Sequence, residues 1–296
     1  MAEIIDGKKI STIIQEEVAT EVEQLKKDGV IPHLSVILVG DNPASSIYVK
    51  MKEKACKKVG ISSETIKYEK SISEQELLQK IDTLNKNPKI HGILVQLPLP
   101  SHIHEDVVIE KVMPEKDVDG FHPINVGRLV AGSDKCFYPA TPYGIVELLS
   151  RYNINTEGKH AVIVGRSNIV GKPLGLLLLK KTSKGNATVT YCHSRTNNIS
   201  AITKTADILI AAMGRAEFIK KDMVKSGVII IDVGINRVED PTKKRGYRLA
   251  GDVDFEHVSK VASLITPVPG GVGPMTIAML LKNTISAAKK NLLNNG

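Results

Sequence analysis

Apolar residues in the first part of the chain follow two alternating spacings. From about residue 8 to residue 27 they lie three or four positions apart, which predicts an amphipathic helix capped by Asp6. Shorter stretches with the length of strands then alternate with helical stretches: 34–39, 44–59, 62–68, 73–86 and 90–95. Strands that alternate with helices predict parallel βαβ units, and hence an α/β fold.

The same alternation continues in the second half around a glycine turn. Residues 160–164 form a β-branched run that ends at Gly165, and a helix is predicted from 174 to 181. Amide groups at such a helix start bind phosphate, and the helix dipole favours negative charge there. Gly165, Ser167 and Gly171 form an irregular dinucleotide turn, because serine replaces the second glycine and the last glycine falls late.

The remaining stretches predict further strands and two more helices. Thr141 as N-cap and Pro142 as first helical residue predict a helix through Arg151 that joins two domains. The other predicted elements are strands at 187–192, 206–211 and 228–233 and a helix at 275–288. Residues 269–273 precede that helix and are too rich in glycine to pack a core, so they are expected to form a substrate loop.

Chain length supports two domains, because 296 residues are many for one hydrophobic core. We expect an N-terminal α/β substrate domain, residues 1–139 plus 273–296. The second is expected to be a C-terminal Rossmann-type NAD(P)-binding domain, residues 140–272, with a cleft between the two. Asp232 and Asp252 are possible acids of the second domain, but both are expected to be structural.

Charge around the glycine turn indicates which dinucleotide is bound. NAD-binding turns are followed, about twenty residues later, by an acid that holds the ribose hydroxyls. Residues 158–206 contain no Asp or Glu, and Ser194 and Arg195 follow the next predicted strand. A cation beside hydroxyl groups suits a ribose phosphate. The sequence therefore predicts NADP, with NAD less favoured.

Composition narrows the remaining classes of partner. The formal net charge is +8, but the lysines are dispersed and aromatic residues make up only 4%, so small anions are favoured over nucleic acid. The three cysteines are far apart and indicate neither disulfides nor a metal site. The N-terminus lacks the features of a signal peptide, and no apolar run approaches a membrane span, so a cytoplasmic protein is expected.

Candidate binding and catalytic side chains lie near the ends of predicted strands in the first domain. Tyr48 and Lys52 are four residues apart on the helix after the first strand, so they share a face near the edge where open α/β sheets bind ligands. Gln96 follows the third strand before a two-proline turn, and its amide can orient a neighbour without titrating. Asp119 lies in an irregular segment and can accept two hydrogen bonds from the edge of a ligand.

Five motifs occur in the chain: Tyr48-x-x-x-Lys52, residues 95–100, residues 117–120, Gly165-Arg166-Ser167 with 170–173, and residues 267–276. In this order they resemble the bifunctional methylenetetrahydrofolate dehydrogenase/methenyltetrahydrofolate cyclohydrolase family over nearly the whole chain. The resemblance implies oxidation of 5,10-methylenetetrahydrofolate with NADP, then hydrolysis of the methenyl product to 10-formyltetrahydrofolate. It also implies a homodimer. Ala140, where the family usually has cysteine, and a longer loop at 181–185 depart from the pattern.

The resemblance also implies roles for individual residues. Lys52 would be the proton-handling residue near the one-carbon unit, and Gln96 would hold and tune Lys52. A lowered pKa would let Lys52 act as a base near neutral pH. Tyr48 would stack on the folate rings, and Asp119 would bind the pterin edge. The residues implied for the substrate are Ser45, Tyr48, Val95, Gln96, Leu97, Asp119, Pro269, Gly270, Gly271, Val272 and Gly273. Those implied for the cofactor are Gly165, Arg166, Ser167, Ser194, Arg195 and Ile235.

Two alternatives are consistent with parts of this pattern. Another NADP-dependent two-domain dehydrogenase, of the shikimate or amino-acid type, would share the glycine turn but leave the prolines after Gln96 and the 269–273 loop unexplained. A nonenzymatic protein that binds NADP or nucleic acid would fit the net charge of +8. Salt-dependent DNA binding without folate affinity would favour that second alternative.

Overall fold

The computed structural model describes residues 1–243 and 246–294, with residues 291–294 described by their backbone alone. The chain divides into two compact units. The three-stranded unit contains Thr12–Ala140 and the chain from Ile277 onward. The six-stranded unit contains Met1–Ser11 and Thr141–Thr276. Within the described residues, no helix combines the length and the apolar character needed to cross a membrane.

The three-stranded unit is built on a parallel sheet. Its strands are β2 (His33–Val39), β3 (Ser62–Tyr68) and β4 (Gly92–Val95), with β2 in the centre. The helices that belong largely to this unit are α1 (Gly7–Lys27), α2 (Pro43–Val59), α3 (Glu74–Lys86), α4 (Glu105–Lys111), α5 (Pro123–Val130) and α10 (Val272–Asn294). The parallel βαβ arrangement predicted for the first half is thereby confirmed.

Local sequence explains where these helices begin. The Asp6 carboxylate accepts the Lys9 N–H at 2.9 Å, as an N-cap at the start of α1. The Asn42 side chain accepts the N–H groups of Ala44 and Ser45 at the start of α2. Ser73 forms the expected capping box at the start of α3. These caps satisfy N–H groups that a helix leaves unpaired, so they define the entry of each helix into the sheet layer.

The six-stranded unit contains a parallel sheet in the order β1-β11-β8-β7-β5-β6. Its strands are β1 (Glu3–Ile4), β5 (His160–Val164), β6 (Thr188–Cys192), β7 (Ile208–Ala211), β8 (Ile229–Asp232) and β11 (Leu264–Ile265). A separate antiparallel pair joins β9 (Asn236–Glu239) to β10 (Tyr247–Ala250). The helices are α6 (Ala140–Arg151), α7 (Gly171–Leu179), α8 (Ile199–Thr203) and α9 (Phe255–Val258). The central strands β5 and β7 are buried on both faces, as parallel strands usually are.

Three predicted helix starts are wrong. Helix α6 begins at Ala140, so Thr141 lies inside it, and the Thr141 hydroxyl pairs with Thr276 at 2.9 Å instead of capping. Helix α7 begins at Gly171 rather than 174, because Ser167 closes the preceding turn. Helix α10 begins at Val272, so only the first three residues of the predicted 269–273 loop precede the helix.

The two departures from the family pattern are accommodated without disruption. Ala140 is 1% exposed, so a small side chain fits there. In the longer loop, Gly185 accepts a hydrogen bond from the Thr156 hydroxyl at 2.7 Å through its carbonyl oxygen. Lys184 forms an ion pair at 2.7 Å with Glu147 of α6. The loop is therefore tied at two points to the unit that carries it.

Candidate functional site

Lys52 and Gln96 form the centre of the candidate site in the three-stranded unit. Helix α2 places Lys52 with its side chain turned inward, where the residue is only 7% exposed. Its Nζ donates a hydrogen bond to Gln96 Oε1 at 3.0 Å. Gln96 directly follows β4, so the pairing predicted between these two side chains is present in the structure.

The Gln96 side chain is held in one orientation. Its Nε2 donates to the carbonyl oxygen of Leu97 at 2.7 Å, which leaves Oε1 directed at Lys52. The backbone N–H of Gln96 donates to Ile37 of the central strand at 2.9 Å. Val95 and Leu97, on either side, are partly buried. The amide oxygen is therefore an acceptor of defined direction for the lysine.

Burial and one carboxylate act in opposite directions on Lys52. Burial lowers the pKa of Lys52, and the charge of Asp119 opposes this by raising it. The pKa of Asp119 is raised by burial, and Lys52 opposes that shift. A lysine with a lowered pKa can exist as a neutral amine nearer neutral pH, which is the state that a general base requires.

Two other predicted residues of this unit, Tyr48 and Ser45, lie on the same helix as Lys52. Tyr48 lies one turn before it and is half-buried, and burial raises the pKa of the Tyr48 phenol. Ser45 is 4% exposed in the first turn of α2. Cys56 lies one turn after Lys52, and burial raises the pKa of its thiol to about 12, so it is no nucleophile near neutral pH.

The glycine turn of the six-stranded unit requires its glycines. At Gly165 the backbone has φ +139°, and a Cβ atom would lie 2.1 Å from the Ala212 carbonyl oxygen. A Cβ on Gly171 would lie 2.4 Å from the Gly165 carbonyl oxygen. Ser167 Oγ accepts the N–H groups of Val170 and Gly171 at 3.1 and 3.3 Å, so this serine shapes the turn. The bare backbone leaves a cradle that a phosphate can approach.

The predicted ribose-phosphate residues lie beside this turn. Strand β6 pairs with β5, and the Gly165 N–H donates to the Cys192 carbonyl oxygen at 2.9 Å. Ser194 and Arg195 follow β6 directly and are both exposed. Arg166 is exposed within the turn itself. The arrangement places two guanidinium groups and a hydroxyl near one edge of the sheet.

Ile235 and the 269–273 segment meet within the same unit. Ile235 is 46% exposed after β8. A Cβ atom built on Gly273 would lie 3.7 Å from Ile235 Cδ1, which places the two residues in contact range. Gly271 closes the turn before α10 by donating to the Pro267 carbonyl oxygen at 2.8 Å. Pro269 is exposed, whereas Val272 is buried.

Asp232 and Asp252 hold the loops around this edge, as their structural interpretation predicted. Asp252 accepts three consecutive backbone N–H groups after β7: Met213, Gly214 and Arg215, at 2.7, 2.9 and 2.9 Å. Asp232 accepts three others: Gly234, Asp252 and Val253, at 3.0, 2.9 and 2.9 Å. Burial raises the pKa of Asp232 to about 7. The two carboxylates therefore organise backbone near Ile235.

Known protein families match both units of the chain. The family described as tetrahydrofolate dehydrogenase/cyclohydrolase matches with its catalytic domain at residues 5–119 and its NAD(P)-binding domain at residues 139–292. The chain belongs to this family. The resemblance seen in the sequence is thereby confirmed, together with the two-domain α/β fold and the assignment as a bifunctional dehydrogenase and cyclohydrolase.

Individual relatives support this assignment over almost the full length. The Bifunctional protein FolD of Prosthecochloris aestuarii is 59% identical over 96% of this chain and 97% of its own. The FolD crystal structure from Campylobacter jejuni is 52% identical, covers 98% and 99% of the two chains, and superposes with a TM-score of 0.93. FolD from Trypanosoma brucei, solved with NADP and an inhibitor, is 38% identical over 98% of both chains, with a TM-score of 0.92.

A shikimate dehydrogenase shares only the fold. It is 14% identical, covers 89% of this chain and 96% of its own, and superposes with a TM-score of 0.53. This shared fold explains why the glycine turn in the sequence is also consistent with a shikimate-type dehydrogenase. The family assignment excludes this alternative for the present chain.

Proposed function

We propose that this enzyme oxidises 5,10-methylenetetrahydrofolate with NADP and hydrolyses the methenyl product to 10-formyltetrahydrofolate, with Lys52 as the proton-handling residue. The observation that carries the proposal is the part-buried hydrogen bond from Lys52 Nζ to Gln96 Oε1 at 3.0 Å. The predicted domain limits at residues 139–140 and 272–273 remain part of the proposal. So do the homodimer, which rests on the family resemblance, and the cytoplasmic location.

The hydrolytic step needs a base at the one-carbon unit. Water adds to the methenyl carbon, a C–O bond forms, and one proton of the water must leave. Neutral Lys52 accepts that proton, because burial has lowered its pKa. The new hydroxyl group then loses its proton as the bond from carbon to N5 breaks, one of the two water protons goes to N5 and the other is released to solvent, and the formyl group remains on N10. The Gln96 amide keeps the lysine nitrogen at one place throughout.

The oxidative step needs alignment more than acid–base chemistry. NADP, when bound, would supply the hydride acceptor for the methylene carbon, whose oxidation gives the methenyl cation. The glycine cradle at Gly165 and Gly171 fits a dinucleotide phosphate, because any side chain there would collide with backbone. Arg166, Ser167, Ser194 and Arg195 would hold the ribose phosphate, and Ile235 would face the nicotinamide half.

The folate contacts follow from the residues around Lys52 and from the 269–273 segment. Tyr48 would stack on the pterin, with Ser45 beside it on α2. Asp119 would accept two hydrogen bonds from the amide and amino edge of the pterin. Val95, Leu97 and residues 269–273 would complete the substrate contacts. Asp119, whose charge raises the pKa of Lys52, would therefore also bind the substrate. Substrate binding would thus be coupled to proton transfer.

Substitution of Lys52 by methionine tests the proposal. Methenyl- and 10-formyltetrahydrofolate are measured from methylenetetrahydrofolate with NADP and with NAD. The wild-type enzyme should turn over with NADP, and Lys52→Met should lose hydrolysis by a factor of about 100 or more. Lys54→Met is the matched control, because Lys54 is exposed on the same helix. A protein that binds NADP but leaves the folate unchanged would show that the substrate assignment is wrong.

A further inference from the structure

The turn that carries Asp119 is organised by a second carboxylate. Asp117 is 5% exposed, and its two oxygens together accept four hydrogen bonds. Oδ1 accepts the N–H groups of Gly120 and Phe121 at 3.1 and 3.2 Å. Oδ2 accepts the His122 N–H and the Asn125 Nδ2 at 2.8 Å each. The chain therefore wraps around the Asp117 side chain, with Asp119 at the bend.

The same turn is also held from its other side. Asn283 of α10 is 4% exposed, and its Nδ2 donates to the Val118 and Tyr138 carbonyl oxygens at 2.8 and 3.0 Å. Gly120 has φ +75°, and a Cβ atom there would lie 2.6 Å from the backbone of residues 138 and 139. Little free space remains for the backbone on either side of Asp119.

The residue before Asp117 ties the turn to β4, the strand that Gln96 follows. Lys116 Nζ donates to three carbonyl oxygens at the end of α3: Leu84, Asn85 and Asn87, at 3.1, 2.7 and 2.7 Å. The Lys116 carbonyl oxygen accepts the N–H of Ile93 in β4 at 2.8 Å. Asp119, whose charge raises the pKa of Lys52, and Gln96, whose Oε1 accepts the hydrogen bond of Lys52, therefore both lie in segments joined to β4.

We propose that Asp117 is a positioning residue of the active site, whose buried carboxylate closes the turn that holds the Asp119 carboxylate beside Lys52. The inference rests on the proposed function only for the role of Lys52 in hydrolysis. Asp117 itself touches neither Lys52 nor Gln96 among its hydrogen-bond partners. It acts through Asp119, and it therefore affects the proton transfer at Lys52 without contacting that residue.

The charges around Lys52 define what loss of this position would do. Asp119 raises the pKa of Lys52, and Cys56 on the same helix does so to a smaller extent. Gln96, from β4, is neutral, and Tyr48 is a protonated phenol. Burial raises the pKa of Asp117 to about 7, its hydrogen bonds from Asn125 and His122 oppose the rise, and Asp119 adds to it. Displacement of Asp119 would leave the Lys52 ammonium with less stabilisation, and the pKa of Lys52 would fall.

The pH profile of hydrolysis distinguishes positioning from a merely structural role. For kcat/KM, the acid limb reports the pKa of the base in the free enzyme. In Asp119→Asn the limb should move to lower pH by about one unit. In Asp117→Asn it should move in the same direction by about half a unit or more, with a raised KM for the folate. Ile81→Val is the matched control, because it shortens a fully buried side chain of α3 outside the turn.

Further measurements keep the outcome decisive. If Asp117→Asn does not fold, Asn125→Ala removes one of the four donors to Asp117 and should shift the limb less, in the same direction. The titration of the Lys52 Cε resonance, assigned by its absence in Lys52→Met, gives the lysine pKa without any turnover. An unchanged lysine pKa and an unchanged acid limb in the Asp117 and Asn125 variants would overturn the proposal. A wild-type enzyme without hydrolase activity would refute the proposed function, and the resonance titration would still decide the role of Asp117.

Discussion

Replacement of Gln96 by glutamate should move the pH profile of hydrolysis to higher pH. In the wild-type protein, a neutral oxygen of Gln96 lies 3.0 Å from Lys52 Nζ, and the lysine is 7% exposed. Burial lowers the pKa of Lys52, which favours the neutral amine. A carboxylate at the same place would stabilise the ammonium form and raise that pKa.

The separation of the two groups sets the size of the effect. Opposite unit charges 3.0 Å apart attract by about 5 kcal/mol at an effective dielectric constant of about 20. Desolvation of the new carboxylate offsets part of this attraction, and neighbours at such distances shift a pKa by about 1 to 3 units. Below its pKa the neutral fraction of Lys52 falls tenfold for each unit. Hydrolysis near neutral pH should therefore fall about 10- to 1000-fold.

The assay is kcat/KM for hydrolysis of methenyltetrahydrofolate across a range of pH, with the uncatalysed rate subtracted. Activity of Gln96→Glu should recover as the pH is raised, because the lysine then loses its proton. Gln96→Leu is the matched control, since it removes the acceptor without adding charge and should move the acid limb to lower pH. An acid limb of Gln96→Glu that coincides with the wild-type limb would refute the assignment of Lys52 as the base.

Three further predictions concern the six-stranded unit. Gly165→Ala should weaken NADP binding at least about tenfold in a fluorescence titration. The backbone at Gly165 has φ +139°, and the new Cβ would lie 2.1 Å from the Ala212 carbonyl oxygen. Unchanged affinity would contradict the role of this turn in binding the cofactor. Gly175→Ala should lower the free energy of unfolding in urea by about 1–3 kcal/mol, since its Cβ would lie 1.9 Å from the Tyr191 hydroxyl oxygen, and Tyr191→Phe should restore part of the loss. Burial raises the pKa of Asp232 to about 7, above the value of about 3.9 in an unfolded chain, so the folded state retains a proton that the unfolded state releases between these values. The stability contributed by this group is present at low pH and is lost as pH rises through about 7. The urea midpoint of the wild-type protein should therefore fall as the pH is raised from about 4 to about 7, and it should fall less in Asp232→Asn. An equal fall in both proteins would contradict the assignment.

The sequence by itself determined the alternation of elements and most of their ends. Strand β3 and the strand before the glycine turn have the predicted limits, and the caps at Asp6 and Ser73 are present. These features depend on spacing, capping side chains and glycines within a few residues of each other, so neighbours in the chain suffice to specify them. The same holds for the placement of Lys52 one helical turn after Tyr48.

Only the tertiary structure decided which distant residues meet. Lys52 and Gln96 are 44 positions apart, and no local pattern shows that the amide oxygen faces the lysine. The pairing of β1 with β11 joins residues 3–4 to residues 264–265, which are far apart in the sequence. A two-residue strand also carries no periodic signal. Thr141 has the composition of an N-cap, yet its hydroxyl meets Thr276 instead.

The network around Asp117 shows the same limit most clearly. An aspartate before a glycine indicates a turn, which the sequence does reveal. That its carboxylate is buried, accepts four hydrogen bonds and holds the bend at Asp119 depends on α5 lying beside the turn. Burial and electrostatic interaction arise from packing between elements, and so the pKa shifts on which the chemistry depends appear only in the folded chain.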